Sequence, residues 1–291
     1  MSVRKRLVPA GLLAPGVIWL VLFFVVPLYF MGEMALRSGS LATGGFAFTW
    51  EWSNFPDALA GRGDQILRTI WYSGAATLLC LLIAYPLAYA IAFKVNPKWR
   101  LLFLFAVVAP FFTTYLIRTI AWKTILADPS PVVSLLRTIN VVPDDGHLLA
   151  TPAAVIAGLT YNFLPFMVLP LYANLERLDL RLIEAAKDLY SSSRQAFLKV
   201  TLPLTMPGIV AGVLLTFIPA FGDYINAQIL GGTGQAMVGN VIQSLYLSQR
   251  NYPEAAALSF LMMALILAIV TLYIRFAGTG AFMGDEDEET A

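Results

Sequence analysis

Two ionisable side chains interrupt otherwise apolar runs of this chain, and the chemistry they suit is charge attraction. Asp223 follows Phe217, Pro219 and Phe221 and precedes Tyr224 and Asn226, while Arg118 divides the apolar stretch between Leu101 and Trp122. An ionised Asp or Arg near the centre of a membrane helix costs about 2.5–3.5 kcal/mol, so each normally faces protein or water. On the residues alone, Asp223 is either a carboxylate in the outer interfacial layer or a carboxylate beside an aromatic ring at the mouth of a path. The second arrangement suits attraction of a cationic amine by charge and cation–π contact. Pro219 and Gly222 are expected to break the helix there, freeing backbone groups that only a water-lined cavity tolerates. Arg118 either snorkels to the outer headgroups or stands at a gate or against a partner subunit.

Other chemistries lack their parts. Cys80 and His147 are the only cysteine and histidine, which makes a His/Cys zinc site within the chain untenable and an intrachain disulfide impossible. No Gly-Lys dipeptide occurs, and hence no G-x-x-x-x-G-K-[ST] phosphate loop, so any ATP used must be bound by another subunit. A membrane acyl or phosphoryl transferase would need clustered His, Asp or Ser near one membrane face, and the sequence offers no such cluster. A secondary transporter is disfavoured by the isolation of the two charges and the lack of a visible repeat.

The elements that must position these groups are membrane helices. Of 291 residues 58% are hydrophobic and 13% charged, with a mean hydropathy of +0.73, too little charge for a solvated surface. Six apolar stretches reach or approach the roughly 20 residues of a spanning helix. They are Leu7–Met31, Thr69–Phe93, Leu101–Ile117 extended by Thr119–Trp122, Leu148–Leu175, Val200–Gly222 and Ala255–Ile274. The first follows Arg4, Lys5 and Arg6, but it exceeds a signal-peptide core and no small-x-small cleavage site follows, so it reads as an uncleaved helix. The expected fold is therefore an all-α membrane protein of six transmembrane helices.

Lys and Arg set the orientation. Twelve fall on one side, Arg4–Arg6, Lys94, Lys98, Arg100, Arg177, Arg181, Lys187, Arg194, Lys199 and Arg275, against Arg37, Arg62, Arg137 and Arg250 on the other, with Arg68 and Lys123 at the outer span edges. The positive-inside rule then puts both termini, and the polar segment between helices four and five, in the cytoplasm. The outer segments read as an interface-hugging loop over Leu36–Arg68, turns with one short helix over Ala127–Ala150, and an amphipathic stretch around Val241–Leu247. The outer acids, among them Asp144 and Asp145, suit a vestibule for polycations, although depletion of outer Lys and Arg explains them equally. The closing run Asp285–Glu289 reads as a solvated acidic tail.

The polar segment has its own internal logic. From Asp179 to Leu189 good helix formers place Leu182, Ala185, Ala186 and Leu189 on one stripe. Ser191–Ser193 interrupt it, Ser192 and Gln195 make an S-x-x-Q capping box for a second helix, and Pro203 and Pro207 end that helix and start the next span. Two short helices of this kind fit a groove on a partner, with the alanines allowing close approach.

Glu184, Ala185 and Ala186, then Val200, Leu202 and Pro203, resemble at fixed spacing the EAA coupling loop of ABC-importer permeases; Tyr190 stands where that pattern has Gly. The resemblance to the type I importer transmembrane domain runs from about Leu67 to Arg275. Within it, Gly231-Gly232, Gly239-Asn240-Val241-Ile242-Gln243 and Ala255–Ser259 look like the spermidine/putrescine permeases, with parts shared by iron and thiamine permeases. The resemblance implies a translocation subunit without cofactor of its own, not an enzyme, with Glu184, Ala185, Ala186, Asp188, Tyr190, Leu202 and Pro203 coupling it to two ATPase subunits that bind ATP and Mg. It implies further a second homologous permease, a heterodimer being usual, an external substrate-binding protein, lipid rather than nucleic acid as surroundings, and location in the inner membrane. Asp223, Tyr224 and Arg118 are the candidates for the substrate path. The expected organisation is an N-terminal helix and external loop over 1–66, the transmembrane domain over 67–277 with its coupling loop near 176–203, and the acidic tail over 278–291.

Overall fold

A computed structural model describes residues 13–277 except Val141, Asp144 and 189–191. The three basic residues near the start, Tyr190 and the acidic tail therefore lie outside the described residues.

Helix α1 (Leu13–Ala35) contains one π-helical turn, and a two-stranded antiparallel hairpin follows, β1 (Arg37–Ser40) and β2 (Gly45–Phe48), with Arg37 opposite Phe48 and Ser40 opposite Gly45. Then come α2 (Asn54–Leu59), α3 (Gly63–Phe93), α4 (Pro97–Val108), α5 (Tyr115–Leu126), α6 (Pro131–Thr138) and α7 (Pro152–Glu176). The polar segment forms α8 (Leu180–Asp188) and α9 (Ser193–Leu204). After it stand α10 (Met206–Phe221), α11 (Ile225–Leu230), α12 (Val238–Gln243) and α13 (Tyr252–Ala277). Among the described residues four helices are long and apolar enough to cross a membrane, and up to six spans result if each of two bent pairs counts as one.

The first bent pair departs from the sequence reading, which runs Leu101–Trp122 as one span. The second breaks between Pro203 and Pro207, where the sequence places the end of one helix and the start of the next. The 3-10 turn Ala109–Phe112 extends α4, and α5 leaves it at 95°, because Thr113 turns extended after Pro110. Likewise α9 and α10 meet at 63° around Thr205. As the sequence reading has it, α9 ends beside Pro203, at Leu204, and Pro207 occupies the first turn of α10, where a missing N–H is harmless. Pro219 also lies inside its helix; α10 stops only at Gly222.

The chain divides into two compact units, residues 1–63 with 241–265, and residues 64–240 with 266–291. In the first, the segment read as an interface-hugging loop after α1 contains the hairpin. Its short strands lack alternation, and Gly39, Gly44 and Gly45 all take positive φ, which hid it in the sequence. Asn54 Nδ2 ties it down by donating to the carbonyls of Ala35 and Arg37, each at 2.9 Å. Phe48, Trp50, Trp52 and Phe55 form a continuous row of ring contacts along this unit, with Trp50 at φ 55°.

The second unit is held by small residues. Ala76, Cys80, Ala84, Ala88 and Ala92 recur every four residues along α3 and are buried, the spacing that lets membrane helices approach closely. Cys80, Ala84 and Ala88 pack with Met167, Val168, Leu171 and Leu175 of α7 and Ile209 of α10. A Cβ on Gly212 would sit 2.7 Å from Met167 Sδ, and one on Gly208 2.7 Å from Asn174 Cβ, so α7 and α10 touch only because these positions are glycine. Polar side chains inside α3 bond back to their own helix, Ser73 to Thr69 O at 2.6 Å and Thr77 to Ser73 O at 2.7 Å.

Candidate functional site

Asp223 sits in the short turn between α10 and α11, 8% exposed. Its carboxylate accepts only from neutral donors. Oδ2 takes the Tyr115 hydroxyl, and Oδ1 takes the Asn226 backbone N–H at 2.8 Å and Asn226 Nδ2 at 3.2 Å. Asn226 is fully buried; its Oδ1 accepts Asn162 Nδ2 at 3.2 Å, and the same Nδ2 lies 3.3 Å from Thr119 Oγ1. The network thus gathers side chains from α5, α7 and α11 around one acid. Gly158 makes this possible, because a Cβ there would stand 2.6 Å from Asn226 Oδ1 and 2.4 Å from Leu230 Cδ1. From the other side Asn240 Nδ2 donates to Tyr224 O at 2.8 Å, and a Cβ on Gly239 would come within 3.2 Å of Asp223 O. Gly239 and Asn240 therefore close the turn that carries the carboxylate.

Arg118 lies on the first turn and a half of α5, also 8% exposed, with its guanidinium carbon 4.6 Å from the Phe111 ring centre and 5.6 Å from that of Tyr115. Its side chain folds back toward the start of its helix, as helical geometry favours. Nε and Nη1 are buried without a hydrogen-bond partner, and Arg118 forms no ion pair with Asp223. Of the three path candidates, Asp223 and Arg118 meet through Tyr115. Tyr224 does not join them; its side chain is 36% exposed, and it contributes its carbonyl to Asn240.

The second candidate region is α8–α9. Asp179 Oδ1 caps the first turn of α8 by accepting Arg181 N–H at 2.9 Å. Glu184, Ala185, Asp188 and Leu182 are exposed, while Ala186 is half-buried. The capping box opens α9 as the spacing requires: Gln195 N–H donates to Ser192 Oγ at 3.3 Å and Ser192 N–H to Gln195 Oε1 at 2.9 Å. A π-helical turn at Phe197–Thr201 turns Phe197 against Tyr85 and Tyr89 of α3, with ring centres 5.6 and 6.3 Å apart. Leu202 packs beside the α3–α7–α10 core, and Pro203 is exposed. Among the described residues, no group of three or more His, Cys, Asp or Glu could hold a metal ion.

Sequence reasoning missed Tyr115 and Asn226 as partners of Asp223, and Asn162 and Thr119 as the groups that extend the network through Asn226. Asn162 and Thr119 were readable as polar residues within apolar spans, but no spacing rule linked three helices. It also missed Tyr85, Phe197 and Thr205, which join α9 to α3. Chemically, the Asp223 site holds a buried carboxyl group among hydroxyl, amide and aromatic groups. That arrangement favours a cation over a neutral or anionic ligand.

The chain is similar to known proteins over most of its length. The chain is 40% identical over 260 residues to the spermidine/putrescine transport system permease protein PotB of Haemophilus influenzae, covering 88% of this chain and 90% of that one. PotB of Escherichia coli strain K12 is 37% identical over 259 residues, with 88% and 93% covered. Among solved structures, a bacterial alginate ABC transporter in complex with its alginate pentasaccharide-bound periplasmic protein matches with a TM-score of 0.74 at 17% identity, covering 97% of this chain and 98% of that one. At that identity the likeness speaks for the fold. The family of binding-protein-dependent transport system inner membrane components matches residues 12–279, and the chain belongs to it.

Proposed function

We propose that this chain is one of two permease subunits of an ABC importer for polyamines, with spermidine and putrescine as cargo, and that it lines the translocation path. The observation that carries the cationic part is Asp223, a carboxylate buried at a helix end and held by neutral donors beside the ring pair Tyr115–Phe163. The spermidine/putrescine permeases among its relatives support the same cargo. Residues 67–277 form the translocating domain in this reading, with 1–66 as an extension.

The chain itself performs no bond chemistry. ATP and Mg belong to two partner ATPases that grip α8 at Glu184, Ala185 and Ala186, and an external binding protein delivers cargo to this chain and a second, homologous permease. Both termini and Ser192 lie in the cytoplasm. ATP binding draws the ATPases together and, through α8 and α9, shifts the permease between states that bind cargo differently.

The test is ATP-driven uptake of labelled spermidine by the reconstituted complex, with putrescine, a neutral sugar and an anionic oligosaccharide as competitors. Spermidine should accumulate and only putrescine should compete. Uptake of the sugar or the anion at the full rate without spermidine uptake would overturn the proposal.

A further inference from the structure

Arg118 and Asp223 are side chains of opposite charge type, both about nine-tenths buried, and neither has an ionic partner among the described residues. Two nitrogens of Arg118 have no acceptor at all, while Asn162 Oδ1, in the network that holds Asp223, is a buried acceptor without a donor. A buried charge left unpaired is strongly disfavoured, and pairing two such charges relieves both. One side chain touches each of them. The Tyr115 hydroxyl donates to the Asp223 carboxylate, and the Tyr115 ring lies against the Arg118 guanidinium. Tyr115 is also the first residue of α5, directly after the 95° break, and Thr114 before it provides no side-chain cap. Unpaired donors, an unpaired acceptor and an unpaired anion, gathered about one uncapped helix start, mark a cluster with a second arrangement available to it.

We propose that Arg118 is the resident counter-cation of Asp223. In the transport state that excludes cargo, Tyr115 swings aside and the guanidinium takes the carboxylate. In the arrangement of this structure, Tyr115 and Asn226 hold the carboxylate ready for an alkylammonium group. Cargo and Arg118 then compete for one anion, so the ion pair is a latch that an amine opens by exchange. A neutral solute has no charge with which to displace the guanidinium, and an anion is repelled by Asp223. The inference rests on the cationic cargo proposed above and adds to it the residue that excludes other cargo.

The test is ATP hydrolysis by the assembled complex without cargo, for Arg118→Gln, Asp223→Asn and the double variant. Because a coupling of this kind changes equilibria by about fivefold or more, each single variant should raise cargo-free hydrolysis at least that much. The double variant should match the singles rather than multiply them, since the same bond is lost in all three. Arg118→Lys keeps the charge and should stay near wild type. Tyr115→Phe removes the hydroxyl that holds the carboxylate away from Arg118, so it should lower cargo-free hydrolysis and raise the KM for spermidine. Unchanged hydrolysis in both single variants, multiplicative effects in the double, or a rise in Tyr115→Phe would overturn the latch. If Arg118→Gln fails to assemble, the Lys and Phe variants decide by the same criteria. The hydrolysis cycle needs no cargo, so wild-type failure to import spermidine sinks the polyamine reading alone, and a flat cycle with normal import sinks the latch alone.

Discussion

The two bent spans differ in how their breaks are closed. At the α9–α10 break Thr205 is fully buried, and its hydroxyl lies 2.9 Å from Tyr85 Oη and 3.1 Å from Leu202 O. The turn is satisfied and tied to α3, so it can pass a displacement of α8–α9 into the core as a fixed elbow. At the α4–α5 break Thr113 and Thr114 are exposed and make no side-chain hydrogen bond, while the next residues carry Tyr115 and Arg118. That break is open, and it bears the groups that surround Asp223. Buried satisfaction at one bend and unsatisfied charge at the other fit two jobs, transmission and selection, and substitutions at each should separate them.

The largest effect is expected at the input to the elbow. Glu184→Lys replaces the exposed acid of the EAA face by its opposite. Loss of a charge partner at a buried interface costs about 2–5 kcal/mol, or roughly thirtyfold or more in docking. The ATPase should be lost from the purified complex on gel filtration while the permease remains folded, and full ATPase retention would remove α8 from the interface.

Next comes the selective break. Asp223→Asn exchanges a charged acceptor for a neutral one, and a hydrogen bond to a charged group contributes about 1.5–3 kcal/mol, so spermidine uptake should fall about tenfold or more. Tyr224→Ala, outside the network, should act in the same direction but change uptake by less than about threefold, because its side chain touches neither Asp223 nor Arg118. Equal losses in the two would shift the site toward the exposed side of the turn.

The smallest effects contrast the two bends as structures. Thr205→Val leaves Tyr85 Oη without its partner and should cost about 1–3 kcal/mol, read as a fall of several degrees in the thermal midpoint of the complex. Thr114→Val removes no bond and should stay within about 0.5 kcal/mol. A reversed order would contradict the assignment of elbow and open break.

What the sequence made legible follows from the range of its signals. Apolar run length marked the spans, and the Ser192–Gln195 spacing marked the start of α9 correctly, since both are local. The α4–α5 bend was not legible, because Thr113 and Thr114 have no turn signature of their own and Pro110 stands inside a helical turn, whereas Pro203 and Pro207 bracket the α9–α10 break. The acid at residue 223 stood out as a charge in apolar surroundings, but its partners Tyr115 and Asn226, and Asn162 behind Asn226, come from three helices. Only the packing permitted by Gly158 brings Asn226 within reach of α7. Tyr224 was the natural aromatic neighbour by sequence, yet the ring that meets the carboxylate lies 108 residues away.

The division between selection and transmission is tested most directly by the number of spermidine molecules imported per ATP hydrolysed, measured side by side for wild type and Asp223→Asn in the same proteoliposomes. The ratio should fall about tenfold or more while hydrolysis per complex stays at or above the wild-type rate, since the elbow and the α8 face are untouched. A parallel fall of uptake and hydrolysis, leaving the ratio unchanged, would contradict the account.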